Sequence, residues 1–286
     1  MKQGAALTRP ALRYYGGKWN LAPWIIEHFP RHVGYVEPFA GAASVLVRKE
    51  PSAIEVYNDA DGEVVNFFRV LREQPDVLVR ALALTPYARE ELEISLEPLA
   101  EDPVERARRL FVRCWFARGG ARNTWRPGWR FQRADVSRRA ITEDWGDVGR
   151  LFAIAERFKG VQIEHAPALE VIRRFDGPAT LFYCDPPYVA STRSERWGAN
   201  GYHTEMTDED HRQLGRLLNE IQGMAVVSGY DNPLYRELFE GWESVTRGTY
   251  TEGSAMDGRP RRVEVLWISP KAQALARQGR LSAAWT

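Results

Sequence analysis

Residues 35–59 read YVEPFAGAASVLVRKEPSAIEVYND, and their order decides the fold class. YVEPF (35–39) has the apolar character of a short buried strand. GAAS (41–44) is a turn of small residues, and VLVRKE (45–50) opens a helix. AIEVY (53–57) is a second apolar run that ends at Asn58 and Asp59. Strand, tight turn, helix, strand and acid in this order open a βαβ unit, and alternation of this kind builds an α/β fold around a parallel sheet.

Outward from this unit, Val64, Phe67, Phe68 and Leu71 recur at i, i+3, i+4 and i+7 and predict a helix from Glu63 to Arg72. Residues 75–157 differ in character, with proline-led helical stretches followed by an Arg/Trp/Gly-rich segment. Strand-like runs return at 161–164, 179–184, 224–228 and 263–268, with helical patterns at 207–222 and 232–241. Thr207, with Asp210 three residues on, has the form of a capping box. The expected organisation is a discontinuous α/β catalytic domain (1–74 and 158–270), a mainly helical insert (75–157) and a tail (271–286) that is either an exposed helix or disordered.

The 286 residues are 44% hydrophobic and 27% charged, ordinary for a globular chain. Two cysteines, Cys114 and Cys184, exclude a disulfide framework or a cysteine-based zinc cluster and fit a reducing cytoplasm. The first residues lack the apolar core of a secretory signal, and no uncharged apolar run approaches the ~18 residues of a membrane span. The net charge of +1 is uninformative as a total, but residues 104–140 hold eleven arginines against two acids. A basic block on an otherwise acidic body is the footprint of a polyanion contact.

Four local patterns carry chemistry. In CDPPY, Asp185, Pro186, Pro187 and Tyr188 follow the apolar run TLFYC. An acid at the carboxyl end of a strand stands where α/β sheets bind ligands. The two prolines stiffen the loop and leave carbonyl acceptors that suit an amine with two N–H donors. Tyr188 offers a flat face for stacking a base. Taken alone, the tetrapeptide equally fits a strand-ending acid and a rigid turn. In VEPFAGAAS (36–44), the small residues permit close approach of backbone to ligand, or only helix–sheet packing. In VYNDAD, Asp59 is placed to hold ribose hydroxyls, or Asn58, Asp59 or Asp61 caps the next helix. In RYYGGKWN, two glycines before Lys18 can form an anion nest, although the spacing of a phosphate-binding Walker loop is absent, and the lysine can hold a carboxylate.

Taken in order, YYGGK, VEPFAGAAS, YNDAD, a basic insert and CDPPY resemble the Dam-like class of adenine-specific DNA methyltransferases. The likeness is greatest to a phage and prophage branch that begins RYxGGK and carries VSGYDxPLYxELF, here VSGYDNPLYRELF (227–239). The resemblance implies a Rossmann-like, S-adenosylmethionine-dependent methyltransferase fold with an inserted target-recognition domain, yielding S-adenosylhomocysteine as product. It further implies cofactor contacts at Tyr14, Lys18, Glu37, Phe39, Gly41, Asp59 and Asp185, a catalytic set Asp185, Pro186, Pro187 and Tyr188, and no metal. Ala43 stands where the family often has glycine, and is expected to serve close packing rather than positive φ.

Within the arginine-rich block, Arg118, Arg122, Arg126, Arg130 and Arg133 are expected to contact DNA, whereas Trp115 and Phe116, in an apolar run, are expected in the core. The implied partner is double-stranded DNA, read at a short or relaxed site by a cytoplasmic monomer. Whether a restriction endonuclease accompanies it stays open. Methylation of cytosine, RNA or a protein amide is the nearest rival. The Asp of the tetrapeptide argues against the first by family resemblance, and the basic insert argues against a protein substrate. A DNA-binding module without catalysis is opposed by the intact DPPY, Asp59 and Lys18.

Overall fold

The computed structural model describes residues 7–98, 100–118, 127–132, 141–192, 205–249 and 262–283. Its centre is a seven-stranded sheet of β1 (Gly34–Glu37), β2 (Ile54–Asn58), β3 (Val161–Glu164), β4 (Thr180–Cys184), β5 (Met224–Gly229), β6 (Glu243–Thr249) and β7 (Arg262–Ile268), in the order β3-β2-β1-β4-β5-β7-β6. The first five strands run parallel, and β7 lies antiparallel between β5 and β6. The chain leaves β1 toward β2 on one side and returns as β4 on the other. The crevice at the carboxyl ends of β1 and β4 is therefore the topological switch point, where sheets of this kind bind ligands.

The helices, in chain order, are α1 (Ala22–Ile26), α2 (Ser44–Arg48), α3 (Gly62–Glu73), α4 (Pro75–Leu84), α5 (Arg89–Ser95), α6 (Pro103–Phe116), α7 (Ile141–Gly146), α8 (Leu151–Phe158), α9 (Ala168–Phe175), α10 (Asp208–Glu220), α11 (Pro233–Leu238) and α12 (Pro270–Ala283). Helix α3 forms where its apolar period predicts. Asp61 caps it by accepting the Glu63 N–H at 2.9 Å, and Val64, Phe67, Phe68 and Leu71 are buried. Helix α10 begins with the expected capping box between Thr207 and Asp210. Proline at N1 and the Asp102 side chain start α6.

Two hydrophobic clusters fill the molecule. In one, Leu78, Phe111, Trp115 and Ile154 from the helices between residues 75 and 158 join Tyr35, Leu46 and Phe67. Phe158 of α8 stacks on Phe68 of α3 at 4.6 Å, with 9° between the rings, so the last helix of that stretch is anchored on β2 and α3. In the other, α9, α10 and α11 cover β4 and β5 through Ile172, Leu214 and Tyr235. The tail is helical from Pro270 to Ala283, with Ala272 buried. Three elements have no counterpart in the sequence reading: α1, whose APWII is a single turn, α9, whose ALEVIRRF is short and carries three charges, and β6, whose ESVTRGT carries little apolar alternation.

Candidate active site

The switch point opens into a cavity of about 810 Å³, measured out to its solvent mouth. Tyr14, Lys18, Glu37, Phe39, Gly41, Asp59, Asp185 and Pro187 all line it, gathered from the segment before α1, the ends of β1, β2 and β4, and the turn into α2. Pro186 is buried and Tyr188 is 7% exposed; neither is among the lining residues. Asp61, Tyr183, Ser44 and Met206 also line the cavity. Of these, Asp61 had a signal in the sequence as one of the acids of YNDAD and Ser44 as the last residue of VEPFAGAAS; Tyr183 and Met206 had none.

Lys18 joins the two motifs farthest apart in the chain. Its ammonium, only 6% exposed, pairs with Asp185 at 2.9 Å, donates to the Gly16 carbonyl at 2.9 Å and lies 4.9 Å from the centre of the Tyr188 ring. The preceding glycines form a turn: Gly16 has φ 76°, and the Gly17 N–H is committed to the Tyr14 carbonyl at 3.1 Å. A Cβ on Gly17 would stand 3.1 Å from that carbonyl, so the turn is tight as well as left-handed at its first glycine. Its effect is to aim the lysine at the end of β4.

The turn between β1 and α2 is held from behind. Gly41 has φ 47°, its N–H donates to Asp59 at 2.8 Å, and its carbonyl accepts the buried Tyr57 hydroxyl at 2.9 Å. Asp59 also accepts the Asp61 N–H at 2.8 Å. The two acids thus divide the roles left open by the sequence. Asp61 caps α3 and accepts the Tyr14 hydroxyl at 3.2 Å, while Asp59 braces the glycine turn at the cavity wall. Ala43 corrects one expectation. It has φ 53° and is the one non-glycine residue with positive φ among those described, so its position does call for a left-handed backbone. That conformation costs an L-residue about 1–2 kcal/mol, and the surrounding packing holds it, with Ala43 fully buried.

The cavity is rich in buried acid. Burial raises the Glu37 carboxyl to about 8, against the opposing hydrogen bond donated by the Tyr35 hydroxyl at 2.5 Å. Burial likewise raises Asp59 to about 6, opposed by its backbone N–H partners. It raises Asp185 also, and Lys18 draws that carboxyl part of the way back. One ammonium therefore faces several carboxyls. Ser44 adds a buried hydroxyl without a hydrogen-bond partner at the cavity wall. Buried polar groups without partners are costly, and a ligand carrying positive charge, hydroxyls and a carboxylate matches this donor and acceptor set. Cys184 adjoins Asp185, but burial and the Asp185 charge raise its thiol far above its ordinary value, so it is not a nucleophile here.

The model of the D12 class N6 adenine-specific DNA methyltransferases matches residues 14–252. The chain belongs to this family. The D12 enzyme is similar to the DNA adenine methylase of Escherichia coli (strain K12), 25% identical over 248 residues that span 82% of this chain and 84% of the relative. It is also similar to the DNA adenine methylase of Serratia marcescens, 24% identical over 250 residues, with 82% and 87% covered. A type II methyltransferase of Lactococcus lactis subsp. cremoris is 23% identical over 279 residues, with 90% and 94% covered. The protein is an adenine-specific DNA methyltransferase, and DNA is its substrate. No helix among the described residues is long and apolar enough to cross a membrane.

The arginine-rich block of the D12 enzyme divides in two. On α6, Arg106 pairs with Glu63, Arg108 with Glu105 and Glu91, Arg109 with Glu105, and Arg113 donates to the Ser95 carbonyl. These four arginines serve internal partners, so the charge excess of the sequence window overstates what faces solvent. Trp115 and Phe116 are core residues, as expected, and Trp129 packs against the same cluster. Beyond α6, Arg118 is exposed, with its guanidinium 4.9 Å from the centre of the Phe131 ring, and Arg130 is half-buried, its carbonyl accepting the Tyr87 hydroxyl at 2.7 Å. Arg122, Arg126 and Arg133 lie outside the described residues.

Proposed function

We propose that this D12-class enzyme takes its methyl group from S-adenosylmethionine and acts on an adenine turned out of double-stranded DNA. The single observation that carries the reading is the ion pair between Lys18 and Asp185, which brings the YGGK and DPPY motifs to one cavity beside Gly41 and Asp59. The donor set fits the cofactor. Asp59 and the Gly41 turn would hold its ribose side, and Lys18 and the unpartnered Ser44 hydroxyl its carboxylate. Burial disfavours the charged forms of Glu37 and Asp185, and a bound cation would favour them. Phe39 would pack along its apolar surface. When bound, S-adenosylmethionine supplies an electrophilic sulfonium methyl group.

The chain's own residues make the adenine amine a nucleophile. Its lone pair is conjugated into the ring. Asp185 and the Pro186 carbonyl accept its two N–H bonds, which localises that pair and stabilises the positive charge that develops on nitrogen. Asp185 is the nearest base to the proton released on methylation. The Pro186–Pro187 pair keeps the carbonyl fixed, and Tyr188 stacks on the extruded base, offsetting part of an unstacking cost of a few kcal/mol. Positioning then supplies much of the rate.

Residues 75–157 act as the recognition module of a catalytic body formed by 1–74 and 158–270. Arg118 and Arg130, with Arg122, Arg126 and Arg133, contact DNA. Arginines in a glycine- and proline-containing stretch suit phosphate clamping as well as guanine reading, which favours a short or relaxed site. The enzyme works as a cytoplasmic monomer. Asp185→Ala is expected to abolish methyl transfer while DNA binding stays near the parent level; transfer at the parent rate would overturn the assignment. Calorimetry with Asp59→Ala and Lys18→Ala tests the cofactor: both should weaken S-adenosylmethionine binding more than DNA binding. Mapping of modified adenines on random-sequence DNA tests recognition, and a strict site of about four base pairs or more would refute the relaxed reading.

A further inference from the structure

Two buried carboxylates, Glu55 and Glu264, take no part in the mechanism above, and Glu264 touches a residue of the catalytic tetrapeptide. Glu264 is 8% exposed, on β7, one residue before Val265, which pairs with Gly229 at the end of β5. A strand in this place needs only an apolar side chain, and a buried carboxylate costs stability unless it is well paired. Its partner among the described residues is the Tyr188 hydroxyl, which donates to Glu264 Oε2 at 2.6 Å. This is a short distance for an O–H···O hydrogen bond.

The bond is joined by other restraints on the same ring. Tyr230, which directly follows β5, meets Tyr188 edge-on at 4.5 Å with 78° between the rings. Lys18 stands 4.9 Å from the ring centre while it holds Asp185. Beneath them, the Tyr183 hydroxyl and Ser228 Oγ share a hydrogen bond of 2.7 Å that ties β4 to β5. A tyrosine ring can swing about its first two side-chain torsions. Anchoring its far end to β7, beyond the neighbouring β5, fixes the plane that a flat substrate must meet. Burial and the nearby acids raise the Tyr188 phenol well above its ordinary value, so it stays protonated and able to donate at neutral pH.

We propose that Glu264 is a positioning residue for methyl transfer, holding the Tyr188 ring at the stacking angle through its hydroxyl. This rests on the reading of Tyr188 as the base-stacking residue. Glu264 is a positioning residue and not a catalytic one: its hydrogen bond is to Tyr188, and its charge also acts at a distance on Asp185, raising that carboxyl.

The test uses the full chain with Glu264→Ala, Glu264→Gln, Tyr188→Phe, Tyr188→Ala and the double variant Glu264→Ala/Tyr188→Phe. The readouts are kcat, KM for DNA, KM for S-adenosylmethionine and the thermal midpoint. Glu264→Ala should lower kcat about ten- to a hundredfold, the scale of a small misplacement of a reacting group, with both KM values within about threefold of the parent. Glu264→Gln keeps a carbonyl acceptor and should recover most of that loss. The double variant should be no slower than Tyr188→Phe alone, because both changes cut the same link. A Glu264→Ala kcat within about twofold of the parent, a kcat loss that Gln does not recover, or additive losses in the double variant would each overturn the inference. If Tyr188→Ala is inactive while Glu264→Ala matches the parent, the positioning role falls and the tetrapeptide stands. If Tyr188→Ala itself matches the parent, the stacking role falls and this inference with it.

Discussion

The molecule buries two groups of charges, at opposite ends of β1 and β2, and they are built differently. Toward α2 and α8, Glu55 is held between Lys49 at 2.6 Å and the Arg157 guanidinium, whose second nitrogen donates to it at 2.8 Å. Burial pushes Glu55 upward, but the hydrogen bonds from Arg157 and Lys49 outweigh it and hold the carboxyl below its ordinary value. At the switch point, Glu37, Asp59, Asp61 and Asp185 share the cavity with Lys18, and burial wins at Glu37, Asp59 and Asp185. A closed set of charges is a structural joint. A set with acid to spare is arranged for something that arrives later, and it carries the cost of that arrangement while empty.

Asp185→Asn against Glu55→Ala is the hardest blow to this contrast. The first should cost about a thousandfold or more in methyl transfer, the scale of losing a main transition-state contact, with little change in thermal midpoint. The second leaves Lys49 and Arg157 unpaired and should cost about 3–5 kcal/mol of stability, with kcat preserved in the fraction that stays folded. Denaturant titration and single-turnover kinetics on both proteins check the crossing. Equal losses of stability would erase the distinction.

The two groups should also answer pH with opposite sign. Glu37 and Asp59 have folded values above their unfolded ones, so their contribution to stability is present at acid pH and is lost as pH rises through about 6 for Asp59 and about 8 for Glu37. Glu55 is lowered, so its contribution is present at neutral pH and lost as pH falls through its folded value. Thermal melts of the ligand-free enzyme should therefore decline as pH rises from 4.5 to about 8, and Glu37→Gln should flatten the decline. A parent midpoint that rises across this window would contradict the assignment of Glu37.

The smallest effect separates the two sets of arginines. Arg118→Ala should weaken binding to all DNA sequences alike and reduce the salt slope by about one. Arg108→Ala, which removes a partner of Glu105 and Glu91, should leave the slope unchanged. Filter binding from low to moderate salt measures both.

Local order made much of this legible in the sequence. The β1–turn–α2–β2 unit, the apolar period of α3, the capping box of α10 and the acids at the strand ends are all short-range patterns, and each lies where it was expected. What was missed depends on distant partners. Arg106 finds Glu63 from another helix, Tyr188 finds Glu264 across 76 residues, and Ala43 takes a left-handed backbone that no neighbour in sequence announces. Strand β6 is held by β7 along its whole length rather than by an apolar face of its own.

The pairing of β1 with β4 bears on how the protein is made. β1 is buried at all four residues, yet one of its two neighbours is not synthesised until the helices of residues 75–158 have already emerged. Throughout that interval the nascent chain holds an apolar strand with an unpaired edge, a template for association with other chains. Long-range parallel pairing of this kind is also slow. The first half of the sheet must therefore wait, shielded by its own helices or by a chaperone, and the cavity comes into being only when β4 docks. Translation that stalls before residue 184 yields a chain with much of the core and no active site.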